Sequence, residues 1–280
     1  MGFLGFFTNK KEQEDDTLQE IEIKVDFSNF DLISEYIYEK SGIIDLEKRA
    51  LVFTRLKQFA QDSRVRTTIE FLNKMKNDES FYQKVMNIVT VNETYFFREH
   101  HELEWLVDYV KNSRGKVSIL SLPSSSGEET YSILMMLDIA GVDLSRVDIN
   151  GYDINSEAVN DAQNGYYNTH SLHKLEDKVR DKYLLKTSTN LYQISKKFRD
   201  KSRFIQKNIF ELKDEENKYD IVLSRNMFIY FDTKKRTQAV NVIVNLLKND
   251  GIYIKGHADH IEPHAGLENI KFGIYKKKSF

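Results

Sequence analysis

Near Gly115 the spacing of apolar residues changes period, so two kinds of architecture must share this chain of 280 residues. Upstream, from Phe30 to about Val89, apolar residues recur at helical intervals. They are Leu32, Ile33, Tyr36 and Ile37, then Leu51, Leu56 and Phe59, then Ile69 and Leu72, then Tyr82, Val85 and Ile88. That spacing predicts a bundle of short helices, each burying one stripe. Gly42 is placed to end the first helix, and Asp45 or Asp78 to cap later ones. Downstream, short β-rich runs alternate with helical stretches, which predicts a parallel sheet of α/β type. The runs are Val117 to Leu120, Val147 to Tyr152, Phe204-Ile205, Ile221 to Leu223 and Ile252 to Ile254. Helices are expected at about Glu128–Ile139, Ser156–Asn164 and Thr233–Leu247. A last run, Phe272 to Tyr275, leaves no room for a long helix before it and predicts an antiparallel strand at the sheet edge.

Two segments stand outside this alternation. Asn9 to Glu20 is mostly charged and reads as a solvated tail. Tyr166 to about Arg203 is polar, rich in Lys, Asp and Tyr, and too long for an ordinary connection, so an inserted subdomain is expected. The expected organisation is therefore a tail over 1–27, a helical domain over 28–90 and an α/β domain over 91–280, with the insert at about 167–203.

Composition narrows the function classes. Hydrophobic residues make up 40% of the chain, with 18 Phe and 15 Tyr, enough to build a core. The absence of cysteine removes disulfides, thiolate metal sites, iron–sulfur clusters and a Cys nucleophile. A net charge of −2 leaves no whole-chain footprint for nucleic acid. The apolar start Met1 to Phe7 is too short for a signal-peptide core and lacks a basic segment before it. No apolar run approaches the ~20 residues a membrane span needs. A cytoplasmic protein without membrane insertion is expected.

Candidate chemistry gathers where predicted strands end. The first runs into Leu122-Pro123-Ser124-Ser125-Ser126-Gly127-Glu128-Glu129, a turn of small residues opening a helix, which lets backbone amides approach a ligand. A purely structural turn with acidic residues at the helix start accounts for it equally well. The second ends at Asp153, placed to accept hydrogen bonds from a ribose or to cap the next helix, a role Asn155 can also fill. The fourth ends in Arg225-Asn226-Met227-Phe228-Ile229-Tyr230-Phe231-Asp232, and an Arg-Asn pair there is costly to bury without partners. Upstream lies Asn92-Glu93-Thr94-Tyr95-Phe96-Phe97-Arg98-Glu99, which by periodicity alone is only a packed helix start. His257, His260 and His264 with Asp259 sit in a loop that shows no convergence or supporting shell, so no metal is expected.

Taken together, these segments resemble the CheR family of chemotaxis receptor glutamate methyltransferases. The family's Asn-x-Thr-x-Phe-Phe-Arg segment, Ser-x-Gly-Glu-Glu-x-Tyr-Ser turn, second-strand Asp and Arg-Asn-x-x-Ile-Tyr-Phe-Asp block stand here as Asn92 to Arg98, Ser125 to Ser132, Asp153 and Arg225 to Asp232. Their order and spacing match over about Phe30 to Phe272. The resemblance implies a class I S-adenosylmethionine methyltransferase (Rossmann-like) sheet with an N-terminal helical domain and a small inserted β subdomain. It implies S-adenosyl-L-methionine as cofactor and S-adenosyl-L-homocysteine as product, with transfer to glutamate carboxylates of chemoreceptors. Glu129 and Asp153 would hold the methionyl and ribose ends, Asn208 would lie beside the adenine, and Asn92, Thr94 and Arg98 would close over it. Arg225, Asn226 and Tyr230 would line the methyl-transfer face, with Arg98 and Tyr230 as the catalytic pair that orients the acceptor. Lys48, Arg49, Arg55 and Lys57, read as a basic face of the second helix, would dock the receptor's cytoplasmic helices. The insert resembles a subdomain that in some members captures a receptor tail by strand addition.

Two departures bear on substrate geometry. Pro123 stands where the family has a small residue or Cys and Thr130 where it has Pro, and Gly256-His257-Ala258-Asp259 replaces Gly-His-Ser-Glu. Two alternatives remain beside this reading: a CheR-like protein that binds cofactor or receptor without turnover, and a methyltransferase for another substrate.

Overall fold

The computed structural model describes residues 25–90, 92–212 and 216–279, so the charged segment Asn9 to Glu20 lies outside them. Four helices come first, α1 (Asp31–Ser41), α2 (Ala50–Asp62), α3 (Thr68–Asn77) and α4 (Glu79–Val89). Their apolar stripes meet in one cluster in which Phe71 lies between Phe27, Phe59 and Phe81 at ring separations of 5.4, 6.3 and 5.0 Å. Gly42 ends α1 in the left-handed conformation at φ 76°. Asp78 caps α4 by accepting from the Phe81 amide at 3.0 Å. Asp45 caps nothing: it is itself left-handed at φ 58° and its carboxylate takes Lys48 instead, at 2.8 Å.

The rest of the chain runs α5 (His100–Asn112), β1 (Val117–Ser121), α6 (Glu128–Ile139), β2 (Val147–Asp153), α7 (Ser156–Asn164), β3 (Tyr166–Asn168), α8 (Asp177–Tyr183), β4 (Leu184–Ser188), β5 (Leu191–Ile194), α9 (Lys196–Lys201), β6 (Ser202–Gln206), β7 (Tyr219–Ser224), α10 (Thr233–Leu246), β8 (Leu247–Lys255), β9 (Leu267–Lys271) and β10 (Ile274–Lys277). The main sheet has the order β6-β2-β1-β7-β8-β10-β9. From β6 to β8 it is parallel, and β10 pairs antiparallel with β8 and with β9. One buried cluster packs α5, α6 and α7 on one face and a second packs α10 on the other, which gives the mixed α/β fold with a mostly parallel sheet.

The end of the chain differs from expectation. Phe272 and Gly273 form the turn of a hairpin, and β9 rather than the final strand is the edge. Along β9 only Leu267 is buried, so its sequence carries no alternation from which a strand is readable. The segment after α7 forms a separate antiparallel sheet of order β3-β5-β4. Among the described residues no helix is long and apolar enough to cross a membrane.

Candidate functional site

Strand order reverses direction between β1 and β7: from β1 the chain builds outward through β2 and β6, and from β7 through β8. Ligand crevices in open parallel sheets form outside the carboxyl ends of strands at such a point. A cavity lies there, and every residue singled out for the cofactor or the methyl-transfer face lines it: Asn92, Thr94, Arg98, Glu129, Asp153, Asn208, Arg225, Asn226 and Tyr230.

The turn after β1 forms one wall. It is tied to both neighbours, with the Leu122 amide donating to the Leu223 carbonyl at 2.9 Å and the Ser124 amide to the Tyr152 carbonyl at 2.8 Å. Ser125 and Gly127 take left-handed backbones, φ 47° and 93°. A Cβ on Gly151 would stand 2.6 Å from the Phe204 ring and 2.7 Å from the Ser124 Cβ, so β2 needs glycine there for the turn to close on it. The hydroxyls of Ser124 and Ser125 are buried without a partner inside the protein while their residues line the cavity. Buried polar groups ordinarily have partners, so these suit a polar ligand.

Asp153 is buried beneath this turn. Its carboxylate accepts from the Ser125 amide at 2.8 Å and the Asn155 amide at 2.9 Å. Capping of α7 falls to Asn155, whose side chain accepts from the Ala158 amide at 2.9 Å. Burial pushes the Asp153 carboxyl up to about 6, against the opposing pull of those amides.

A charged strut braces the other end. Arg225 donates to Glu129 at 2.7 Å, to the carbonyls of Arg98 and Glu99 at 2.7 and 3.0 Å, and to the Glu99 carboxylate at 3.3 Å. The second oxygen of Glu129 accepts from Ser121 Oγ at 2.8 Å. Glu99 also accepts from the His257 amide at 3.0 Å; burial opposes its ionisation, but that amide together with Arg225, Asn226 and Arg98 holds its carboxyl below the usual range. Arg225 thus spends both terminal nitrogens on the site's own carboxylates and carbonyls, holding Glu129 and the Arg98-Glu99 turn in place, while its Nε is buried without a partner inside the protein. Asn226, left-handed at φ 58°, donates its amide to Asp259 at 2.5 Å, and Phe228 donates to the same carboxylate at 2.8 Å. Asp259 is therefore the buried anchor of the loop after β7. Gly256 is required beside it, since a Cβ there would meet Asp259 Oδ2 at 2.7 Å and the Asn226 nitrogen at 2.8 Å. His257, His260 and His264 do not converge on a common point with Asp259; among the described residues the grouping of potential metal ligands is the exposed set His100, His101 and Glu104.

The helical layer closes the cavity. Ser41, Ile43, Arg49, Val89 and Thr90 line it. Asn208 borders it while donating to the Lys40 carbonyl at 2.8 Å and accepting from the Phe210 amide at 3.1 Å. Arg98 donates to the Glu93 carbonyl, stands 4.0 Å from Glu99 and has its guanidinium 5.7 Å from the Tyr95 ring centre.

The basic face is differently arranged from its reading in the sequence. Lys48 and Arg49 precede α2, in and after a 3-10 turn. Arg49 faces the cavity, its guanidinium 4.9 Å from the Tyr230 ring centre and donating to the Val89 carbonyl at 3.2 Å. Lys57 lies over Phe53, at 4.8 Å, and Lys48 and Arg55 are exposed. Sequence reasoning missed Arg49 as a cavity residue and Glu99 as a structural partner of the site. Glu99 had a signal in its position next to Arg98; Arg49 had none, because helix-like spacing does not reveal that α2 starts one residue later.

Residues 92–275 match the family described as CheR methyltransferase, SAM binding domain. The chain is similar to a chemotaxis protein methyltransferase of Campylobacter jejuni, 32% identical over 86% of this chain and 93% of that protein. It is similar to chemotaxis protein methyltransferase 2 of Vibrio cholerae, 31% identical over 89% of this chain and 91% of that protein. A solved structure of a putative S-adenosyl-L-methionine-dependent methyltransferase from Methanococcus maripaludis is similar at 14% identity and a TM-score of 0.35, over 55% of this chain and 52% of that chain. S-adenosyl-L-methionine is accordingly the cofactor whose polar ends the buried hydroxyls and carboxylates of this cavity suit, and the chain belongs to the CheR methyltransferase family.

Proposed function

We propose that this protein is a protein-glutamate O-methyltransferase that esterifies side-chain carboxylates on the cytoplasmic helices of chemoreceptors. The observation that carries the reading is the composition of one cavity. Arg49, Arg98 and Tyr230 line it together with Glu129 and Asp153, and no histidine is among its described lining residues. A glutamate carboxylate is already ionised at neutral pH and needs no general base, so a wall of guanidinium and phenol groups suits it as acceptor.

S-adenosyl-L-methionine, when bound, supplies an electrophilic sulfonium methyl. Asp153 would accept the ribose hydroxyls, with Asn208 at the adenine and Glu129 at the methionyl end; Asn92 and Thr94 line the approach. Arg98 and Tyr230 would orient the acceptor carboxylate, because a planar guanidinium meets both oxygens. Because the acceptor carboxylate would already be ionised, none of these residues would have to take or give a proton. The residues' work is alignment and exclusion of water. Exposed Lys48 and Arg55 remain proposed docking charges for an acidic receptor helix. The β4 edge of the small sheet remains the proposed place for a receptor tail to add as a strand.

The test incubates the protein with methyl-tritiated cofactor and membranes carrying candidate receptors, then treats the labelled receptor with alkali. Ester-linked label should leave as volatile methanol. Label that survives alkali points to another acceptor atom, and cofactor binding with no transfer to any receptor points to a protein that binds without turnover.

A further inference from the structure

We infer that Arg49 is a positioning residue that holds the Tyr230 ring in the cavity wall from across the seam between the helical layer and the sheet. The inference rests on the methyl-transfer reading above. Arg49 starts from a fixed point: its amide donates to the Leu46 carbonyl at 3.1 Å, and its backbone, at φ −96° and ψ 78°, lies outside the helix that follows. From there the side chain has two partners. One edge donates to the Val89 carbonyl at the end of α4, and the guanidinium lies 4.9 Å from the Tyr230 ring centre. A guanidinium over an aromatic face is attracted by the ring's negative quadrupole and restricts the ring's tilt.

Tyr230 needs such a constraint. It is the last residue of a 3-10 turn, Phe228–Tyr230, and the preceding Ile229 is 49% exposed. Its backbone is pinned from the same layer, with the Ile44 amide donating to the Tyr230 carbonyl at 3.1 Å. That bond fixes the main chain, and the ring packs on one side against the apolar cluster beneath α10. Arg49 covers it from the helical layer and completes the clamp. The two residues are 181 positions apart, which is the difference of their numbers, so the pair exists only when both layers are docked. A docking charge would point to solvent, as Lys48 and Arg55 do; Arg49 is half-buried and lines the cavity beside Tyr230, Arg98 and Glu129.

The test is a double-mutant cycle on the full chain with Arg49→Gln, Tyr230→Phe and the pair, reading single-turnover methylation at saturating cofactor and receptor. Arg49→Gln should slow transfer by roughly tenfold, since small misplacements of an orienting group cost that much or more, with affinity for S-adenosylhomocysteine within about twofold. In the Tyr230→Phe background the same substitution should cost less than about twofold, because contacting residues that act together are not additive. Arg49→Lys keeps the charge without the plane and should not restore the rate. A full cost in the Tyr230→Phe background, or full rescue by lysine, would overturn the proposal in favour of a charge that docks the receptor. A second readout needs no receptor. In protein carrying 3-fluorotyrosine at its 15 tyrosines, the fluorine resonance lost in Tyr230→Phe belongs to Tyr230. Arg49→Gln should shift that resonance. An unmoved resonance overturns the pairing even if wild-type protein methylates no receptor tested, an outcome that would count against the acceptor assignment alone.

Discussion

Asp153 accepts two backbone amides and is 3% exposed, and the two facts pull its ionisation in opposite directions. Burial prevails and raises its carboxyl from the ordinary aspartate value to about 6. The sign follows directly. Below about pH 4 the group is protonated in both folded and unfolded chains, and its contribution to stability is fully present. That contribution is lost as pH rises through about 6, where the folded chain must ionise a buried acid. Ligand binding runs the other way if Asp153 receives ribose hydroxyls, because the ionised form is the stronger acceptor. Affinity for S-adenosylhomocysteine should then fall below pH 6, by up to roughly tenfold per unit, and Asp153→Asn should flatten the profile. Calorimetry between pH 5 and 7.5 checks it, and an unchanged slope in the variant assigns the dependence elsewhere. Arg225 makes a harder structural demand at the same scale. Its side chain is 3% exposed between Glu129 and Glu99. Replacing it by methionine leaves Glu129 without its counter-ion and Glu99 with only Arg98, at 4.0 Å, and breaking a buried pair in this way costs about 3–5 kcal/mol. Urea denaturation should show that loss; a change under about 1 kcal/mol would mean the acids are solvated well enough without it.

At the scale of elements, the helical layer has its own aromatic core, and Phe71 is fully buried at its centre. Phe71→Ala should cost about 3–5 kcal/mol through lost burial and the cavity left behind, measured as a lower urea midpoint. The same elements show what periodicity reveals. Helices such as Glu128–Ile139 and Ser156–Asn164 were readable to the residue because caps and breakers bound them: Gly127 before one, Asn155 and Gly165 around the other. The edge strand β9 was not readable, because one buried residue in five leaves no alternation. The start of α2 was not readable either. Arg49 lies in helical register with Val52 and Phe53, and only contacts with Val89 and Tyr230 show that it faces the cavity.

For the molecule as a whole, the cavity has walls from both layers, so a ligand there is linked to their docking. S-adenosylhomocysteine at about 100 times its Kd should add about 2.7 kcal/mol of stability. Because Asn208 borders the cavity and grips the Lys40 carbonyl, while Lys235 donates to the Glu39 carbonyl at 2.8 Å, that stabilisation should reach the end of α1. Hydrogen exchange of amides around Tyr38 to Ile43 should slow on ligand addition. Protection confined to the sheet side would show that the two layers respond independently.

The alternation after Gly115 determined the class of sheet without any tertiary information, because strand and helix periods are local properties of a chain that must bury one face. Four motifs in order likewise marked the residues that meet in the cavity, three of them because a carboxyl end of a strand is a position in sequence as well as in space. Which groups Arg225, Glu99 and Arg49 touch there is visible only in the tertiary structure. A guanidinium can aim at a substrate, brace a neighbouring carboxylate or cover a ring with the same chemistry. The choice depends on which groups lie within about 3–5 Å of it, and those groups come from distant segments, 40 residues away for Arg49 and Val89, 96 for Arg225 and Glu129 and 126 for Arg225 and Glu99.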